Sequence, residues 1–383
     1  MNAGIQVSKP PRLHRRLMQY DRVLGYRYTP RLKLRIPHEG GGYLVKTNAD
    51  GFRCDHAVTP HKNRAHRVLV FGDSFTAGDG VSNGKRYSDV LEENLPDTEV
   101  LNFGLSSSGT DQQYLIFQQY AGRIDYDAVV IGVLVENIKR NVATERDWAD
   151  HTGEAVRVPK PWFALAPDGG LILQGVPVGL PYKAEAPVSE GGRGSLRTTL
   201  RRMANTLGPD FKDFCQRLTK FQPLPEYGSP NNDGWRLMRA ILEHWVSDLK
   251  VPVVIAVIPV YQYVEETASY KDIRRRFDEF AKSTGVPVYH VVDDLLREPA
   301  ETRRRLRFRI DCHFTPDAHQ IVGQALARVV APLLSESGIR EIDRESSSAV
   351  VNVGTRQAMR DRDIGQEGIA TGRGVAGTNH FTS

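Results

Sequence analysis

Short, largely apolar runs recur along the chain, and a stretch with helical spacing follows most of them. Residues 67–71, "RVLVF", form the first run, rich in β-branched residues, and read as a strand buried on both faces. "YSDVLEENL" (87–95) follows as a helix, "EVLNFGL" (99–105) as a strand, "TDQQYLIFQQYAGRI" (110–124) as a helix and "DAVVIGVLV" (127–135) as a strand. The rhythm returns with a helix at 234–250, strand "PVVIAVIPV" (252–260), a helix at 269–285 and strand "PVYHVV" (287–292). A last helix is expected over 318–337, with Thr315 as N-cap and Pro316 at its first position. Alternating strands and helices indicate a parallel sheet with helices on both faces.

Three segments break the rhythm. Residues 1–65 are polar and interrupted by proline and glycine, notably "IPHEGGG" (36–42), and read as an irregular lead-in packed on the main domain. Residues 138–232 read as an insertion, possessing a hairpin "WFALAPDGGLILQ" (162–174), a Gly-rich connector "SEGGRG" (189–194) and a helix from Ser195 to Leu207. From about 341 the chain is polar, Gly-rich and aperiodic, and reads as a disordered tail.

In an open parallel sheet, functional groups gather where strands end. The first strand ends at Gly72-Asp73-Ser74, the second at "NFGLSSSGTDQ" (102–112), and the third at Glu136-Asn137. Near the last helix, "RIDCHFTPDAH" (309–319) sets Asp311 and His313 two residues apart. Serine, histidine and aspartate at element ends suit nucleophilic catalysis, because a hydroxyl needs a base and the base needs an orienting acid. Each residue has a plainer reading. Gly-Asp-Ser is a common turn composition, Asn137 can cap a turn, and Asp311-x-His313 can be a surface turn or, with Asp317 and His319, part of a metal site. A phosphate-binding loop is excluded, since Asp79 and Arg86 occupy the glycine and hydroxyl positions around Gly84-Lys85. The Gly-x-Ser-x-Gly elbow is absent around Ser74.

In this order the pieces resemble the SGNH or GDSL hydrolase family. "FGDSFTAGDGV" (71–81) is similar to its first block, "NFGLSSSGTDQ" to the second, "VLVENIKRN" (133–141) to the third and "DCHFTPDAH" (311–319) to the last. The resemblance covers roughly 67–137 and 234–337. The lead-in, "YDRVLGYRYTP…TNADGFR", also looks like that of a bacterial branch associated with surface-polysaccharide biosynthesis. The resemblance implies a three-layer α/β/α fold with a parallel, flavodoxin-like sheet, here with a cap-like insertion. It implies Ser74 as nucleophile, with Asp311 and His313 completing a triad. It also implies an oxyanion hole from the N–H groups of Ser74 and Ser107 and the side chain of Asn137. His313 is preferred to His319 because it precedes "FTP".

Three departures stand out. Serine at 107 replaces the donor glycine of the second block, Ile138 replaces the aspartate after Asn137, and Asp311 and His313 are two apart where many members have three. The expected function is hydrolysis, or transfer, of a small acyl group on a carbohydrate or other ester. The alternative is a catalytically degenerate protein that binds a glycan or a partner on the same scaffold. No cofactor is expected.

Charge and cysteine content adjust this picture little. Net charge is +5, with arginines clustered at 274–276 and 303–305. A basic balance favours acidic partners, including anionic glycans, but no nucleic-acid motif accompanies it and no nucleic-acid partner is expected. The cysteines, Cys54, Cys215 and Cys312, form no CxxC pair and suit a reducing compartment. No run approaches the length of a membrane span, and the first residues lack a signal-peptide core, so a cytoplasmic protein is expected. Trp148 and Trp162 in the insertion can stack on a sugar ring or pack internally. Nothing in the pattern fixes an oligomeric state.

Overall fold

Five parallel strands form the central sheet of the computed structural model, which describes residues 17–149, 154–183 and 221–335. Cys215, the 189–194 connector, the expected helix from Ser195 and the tail from 341 lie outside the described residues. The chain enters through two antiparallel hairpins, β1 (Met18–Asp21) with β2 (Gly25–Tyr28) and β3 (Lys33–Ile36) with β4 (Tyr43–Lys46). The expectation of an irregular lead-in is corrected here. Its strands are four residues each, and β3 (KLRI) alternates exposed and half-buried positions, a period-two signal in "RLKLRI" (31–36) that the flanking proline and glycines obscured. Asp21 Oδ1 accepts from the N–H groups of Val23 (2.8 Å) and Leu24 (2.9 Å), and closes the first turn.

The sheet then assembles in chain order. β5 (His66–Phe71) is followed by α1 (Ser74–Ala77) and α2 (Tyr87–Glu93), β6 (Thr98–Asn102), α3 (Thr110–Tyr120), β7 (Ala128–Leu134) and α4 (Asn137–Arg140). After the insertion come α5 (Asp233–Asp248), β13 (Val253–Ile258), α6 (Tyr261–Val264), α7 (Lys271–Thr284), β14 (Val288–His290), α8 (Val291–Leu296), α9 (Ala300–Arg303) and α10 (316–335). The strand order is β6-β5-β7-β13-β14, with every pairing parallel. Counted within the sheet this is 2-1-3-4-5, the flavodoxin-like order, and the chain reverses direction across the sheet between β5 and β7.

Both faces are covered, which is why the strands are rich in apolar residues: Val68, Leu69, Val70 and Phe71 are all fully buried, and the buried Arg67 and Glu99 on neighbouring strands pair with each other at 2.8 Å. On one face, Phe117 of α3 and Trp245 of α5 meet the Phe71 ring at 5.8 and 5.3 Å. Phe71 and Ile131 are register partners, so Gly132 turns to the opposite face. There the Tyr87 hydroxyl of α2 comes within 2.8 Å of where a Cβ of Gly132 would stand, so only glycine fits. The Tyr87 N–H donates to His319 Nδ1 (3.1 Å), which joins α2 to α10 on this face.

Of two sequence expectations at the C-terminal end, one changes and one holds. The strand expected over 287–292 stops at His290, and Val291, Val292 and Leu295 instead bury one face of α8. A period of two and a period of about four cannot be told apart over so short an apolar run. Thr315 does stand at the N-cap of α10, since its carbonyl accepts from the His319 N–H (3.0 Å), but its hydroxyl donates to the Arg305 carbonyl (3.0 Å).

The described part of the insertion is β-structured. β8 (Glu145–Ala149), β9 (Ala155–Pro159) and β12 (Tyr182–Lys183) form one antiparallel sheet. β10 (Trp162–Leu165) and β11 (Leu171–Gln174) form the expected hairpin, with Trp162 opposite Gln174. The insertion packs on α3: Phe163 meets Tyr114 at 5.9 Å, and a fully buried ion pair joins Lys160 to Asp111. Among the described residues no helix is long and apolar enough to cross a membrane.

Candidate active site

The chain reverses between β5 and β7, and in such sheets functional groups gather beyond the carboxyl ends of the strands. β5 delivers Gly72-Asp73-Ser74 to that end. Asp73 caps α1 by accepting from the Phe75 N–H (3.0 Å), which sets Ser74 at the first helical position, 3% exposed. Gly78 ends this single turn in the left-handed region (φ 80°) and donates its N–H to the Ser74 carbonyl (2.8 Å).

Asp311 and His313 arrive from the loop between α9 and α10. The His313 Nε2 lies 2.8 Å from Ser74 Oγ, and its Nδ1 lies 2.8 Å from Asp311 Oδ2. Ser74, His313 and Asp311 are thus one hydrogen-bonded chain. Cys312, between the acid and the base, has φ 66°. This left-handed residue folds the loop tightly enough for side chains two apart to meet, and the Cys312 N–H donates to the Phe308 carbonyl (3.1 Å). His319 stays apart: it is fully buried in α10, with Nδ1 accepting from Tyr87.

Ser107 holds a left-handed conformation (φ 64°), a backbone region that favours glycine. Its neighbours hold it there. The Ser106 hydroxyl contacts both Asp79 carboxylate oxygens (2.7 and 2.8 Å) and the Tyr28 hydroxyl, and its carbonyl accepts from Tyr26 (3.0 Å). On the other side, the Ser108 carbonyl accepts from Arg140 Nη1 (3.2 Å). Among the described residues nothing accepts the Ser107 N–H. The loop also packs closely on α1: a Cβ at Gly104 would stand 2.4 Å from the Ala77 nitrogen. Asn102 fastens the two, donating to the Thr76 carbonyl (2.7 Å) and accepting from the Gly104 N–H (2.8 Å).

Asn137 begins α4, is fully buried, and neither its amide nitrogen nor its oxygen has a partner among the described residues. A buried primary amide without partners costs stability and is retained where something else uses it. Three residues later, Arg140 ties this helix to both other loops, pairing with Asp73 Oδ2 at 2.6 Å while bonding the Ser108 carbonyl.

Sequence reasoning missed Arg140 and the whole contribution of the lead-in. Tyr26 and Tyr28 fix the Ser106 loop, Arg53 donates to the carbonyls of Gly78 and Val81 (2.7 Å each), and His38 and Glu39 hold the Asp311 loop. Tyr26, Tyr28 and Arg53 lie within the lead-in segments "YDRVLGYRYTP" and "TNADGFR", and His38 and Glu39 stand directly before three glycines in "IPHEGGG". Trp148 packs at 4.5 Å on the Tyr26 ring and is buried, whereas Trp162 is half-buried in its hairpin.

The electrostatics favour a basic imidazole. Burial presses the His313 pKa down, but the hydrogen bond and charge of Asp311, with the charges of Asp79 and Asp73 beyond, outweigh it and raise the pKa above the ordinary value. For Asp311 burial acts upward, and the two histidines bonded to it prevail, so its carboxyl titrates below the usual range. Burial raises the Asp73 pKa despite the Arg140 cation beside it.

No family model and no curated protein match the chain. Among solved structures it is similar to a member of the lipolytic G-D-S-L family from Veillonella parvula, at 12% identity over 68% of this chain and 97% of that one, with a TM-score of 0.35. It is similar to a lipase/acylhydrolase from Enterococcus faecalis, at 13% identity over 70% and 96%, with a TM-score of 0.37. It is also similar to a variant of an acetyl xylan esterase from Geobacillus stearothermophilus, at 12% identity over 69% and 94%, with a TM-score of 0.37. Likenesses this distant identify neither activity nor substrate.

Proposed function

We propose that the chain is a serine esterase of the SGNH type, acting on a small acyl ester of a carbohydrate or other hydroxyl compound. The observation that carries this reading is the chain of contacts from Ser74 Oγ to His313 Nε2 and from His313 Nδ1 to Asp311 Oδ2, 2.8 Å at each step. Ser74 Oγ attacks the ester carbonyl while its proton passes to His313 Nε2. Asp311 holds the imidazole in the tautomer with Nδ1 protonated and stabilises the imidazolium that forms. Collapse of the tetrahedral intermediate breaks the bond to the alcohol, which takes the proton from His313. Water then attacks the acyl-serine with the same base and releases the acid. A sugar hydroxyl in place of water turns the same cycle into acyl transfer.

The oxyanion is assigned to the N–H groups of Ser74 and Ser107 and the amide of Asn137. The unpartnered Ser107 N–H and the unpartnered buried amide of Asn137 support this assignment. The test is hydrolysis of p-nitrophenyl acetate and of acetylated sugars by the wild type and Ser74→Ala. Turnover that depends on Ser74 supports the reading, and equal turnover by the variant overturns it.

A further inference from the structure

The acid of the relay carries two imidazoles. His38 Nε2 lies 3.1 Å from Asp311 Oδ2, the same oxygen that His313 Nδ1 approaches at 2.8 Å. The Gly40 N–H points at His38 Nδ1 (3.2 Å), so Nδ1 is the acceptor and the proton sits on Nε2, facing Asp311. The ring is held by T-shaped contacts with Phe308 (4.4 Å) and Tyr43 (5.6 Å). The next residue, Glu39, grips the backbone of the same loop. Its carboxylate accepts from the N–H groups of Arg309 (3.0 Å), Ile310 (2.8 Å) and Asp311 (2.8 Å).

We infer that His38 is a positioning residue for the relay: it donates to the Asp311 oxygen shared with His313, fixing that carboxylate and drawing off part of its charge. This rests on the serine-esterase reading above. The consequence for His313 has a definite sign. A carboxylate that already accepts one N–H has less charge to offer a second, so His38 restrains the upward pull of Asp311 on His313. The other groups facing the pair stay in place when His38 is changed. Asp73 and Asp79 face His313 from the first block, and His319 faces it from α10. Tyr43 faces Asp311 from β4, Glu39 holds its backbone, and Arg307 bonds the Arg309 carbonyl (3.3 Å).

The test compares the wild type with His38→Phe, which keeps the ring packing and removes the donor, and His38→Gln, which returns an N–H donor of similar reach. Two quantities are read across pH: the NMR titration of the His313 C2–H and kcat/KM on p-nitrophenyl acetate. In His38→Phe the His313 titration and the acid limb of kcat/KM both move to higher pH, and the plateau falls roughly three- to tenfold, the worth of one hydrogen bond. His38→Gln returns both toward the wild type. An unmoved His313 titration in a folded His38→Phe overturns the inference, as does a loss equal at every pH that Gln does not rescue. Should the wild type hydrolyse no ester, the esterase reading fails alone, and the NMR titration still decides the role of His38.

Discussion

Arg140 Nη1 stands 2.6 Å from Asp73 Oδ2, so the residue before the proposed nucleophile is locked to the helix that begins with Asn137. Asp73 is wholly buried and the Arg140 side chain nearly so. With its contact to the Ser108 carbonyl, Arg140 fastens three separate strand ends to one another.

Removing that guanidinium leaves a carboxylate buried without its partner. Arg140→Ala is expected to lose about 3 kcal/mol in urea denaturation. Arg140→Ala combined with Asp73→Asn is expected to recover part of the loss, because the orphaned charge is gone. Unchanged stability in the single variant contradicts this role.

Asn137 predicts the opposite pattern. Its amide has no partner among the described residues, so Asn137→Ala removes an unsatisfied polar group and is expected to keep or raise stability. The same change is expected to lower kcat by about 10²–10³-fold, the usual effect of losing one oxyanion donor. Thermal melts and ester hydrolysis on one preparation read both. A stability loss without an activity loss would assign Asn137 to folding.

At Ser107 the backbone matters more than the side chain. Ser107→Gly places the residue best suited to φ 64° and is expected to retain activity with a melting temperature no lower than that of the wild type. Ser107→Pro removes the N–H, cannot adopt positive φ, and is expected to abolish turnover.

The histidines give two pH signatures. An imidazole accepts a proton only when neutral, and the pKa of His313, the proposed base, is raised, so the acid limb of kcat/KM is expected above the ordinary imidazole range. Asp311→Asn removes the charge that raises it, and the limb should move to lower pH as kcat falls. His319 behaves oppositely, since burial pushes its pKa down to about 3. Between the ordinary value of 6.5 and about 3 the unfolded chain binds a proton that the folded chain refuses, so stability falls as pH falls. This group contributes a slope of up to about 1.4 kcal/mol per pH unit. Asn at 319 has an oxygen to accept from Tyr87, so His319→Asn should show a shallower decline in denaturation curves over that window.

The sheet was legible because its strands are buried on both faces, and "RVLVF", "DAVVIGVLV" and "PVVIAVIPV" announce that in composition alone. Ser74, Asp311 and His313 were legible through motifs at element ends, and the structure brings the three together. His38, Glu39 and Tyr26 were not legible. Each acts on a partner between 80 and 273 residues away, a separation that no local pattern reveals. Arg140 lies in the third block, "VLVENIKRN", but no local pattern marks it as the partner of Asp73, 67 residues earlier. Ser107 looked like a defect in a motif, although its backbone already adopts the conformation a glycine there would take.

The most direct test is reaction of the purified protein with a fluorophosphonate, read by intact mass beside Ser74→Ala and His313→Ala. The account predicts stoichiometric labelling of the wild type and none of either variant, since activation needs both the hydroxyl and its base. A folded wild type that stays unlabelled, or a Ser74→Ala variant that labels as well as the wild type, would contradict it. The first of these outcomes would turn attention to a binding role for the same residues.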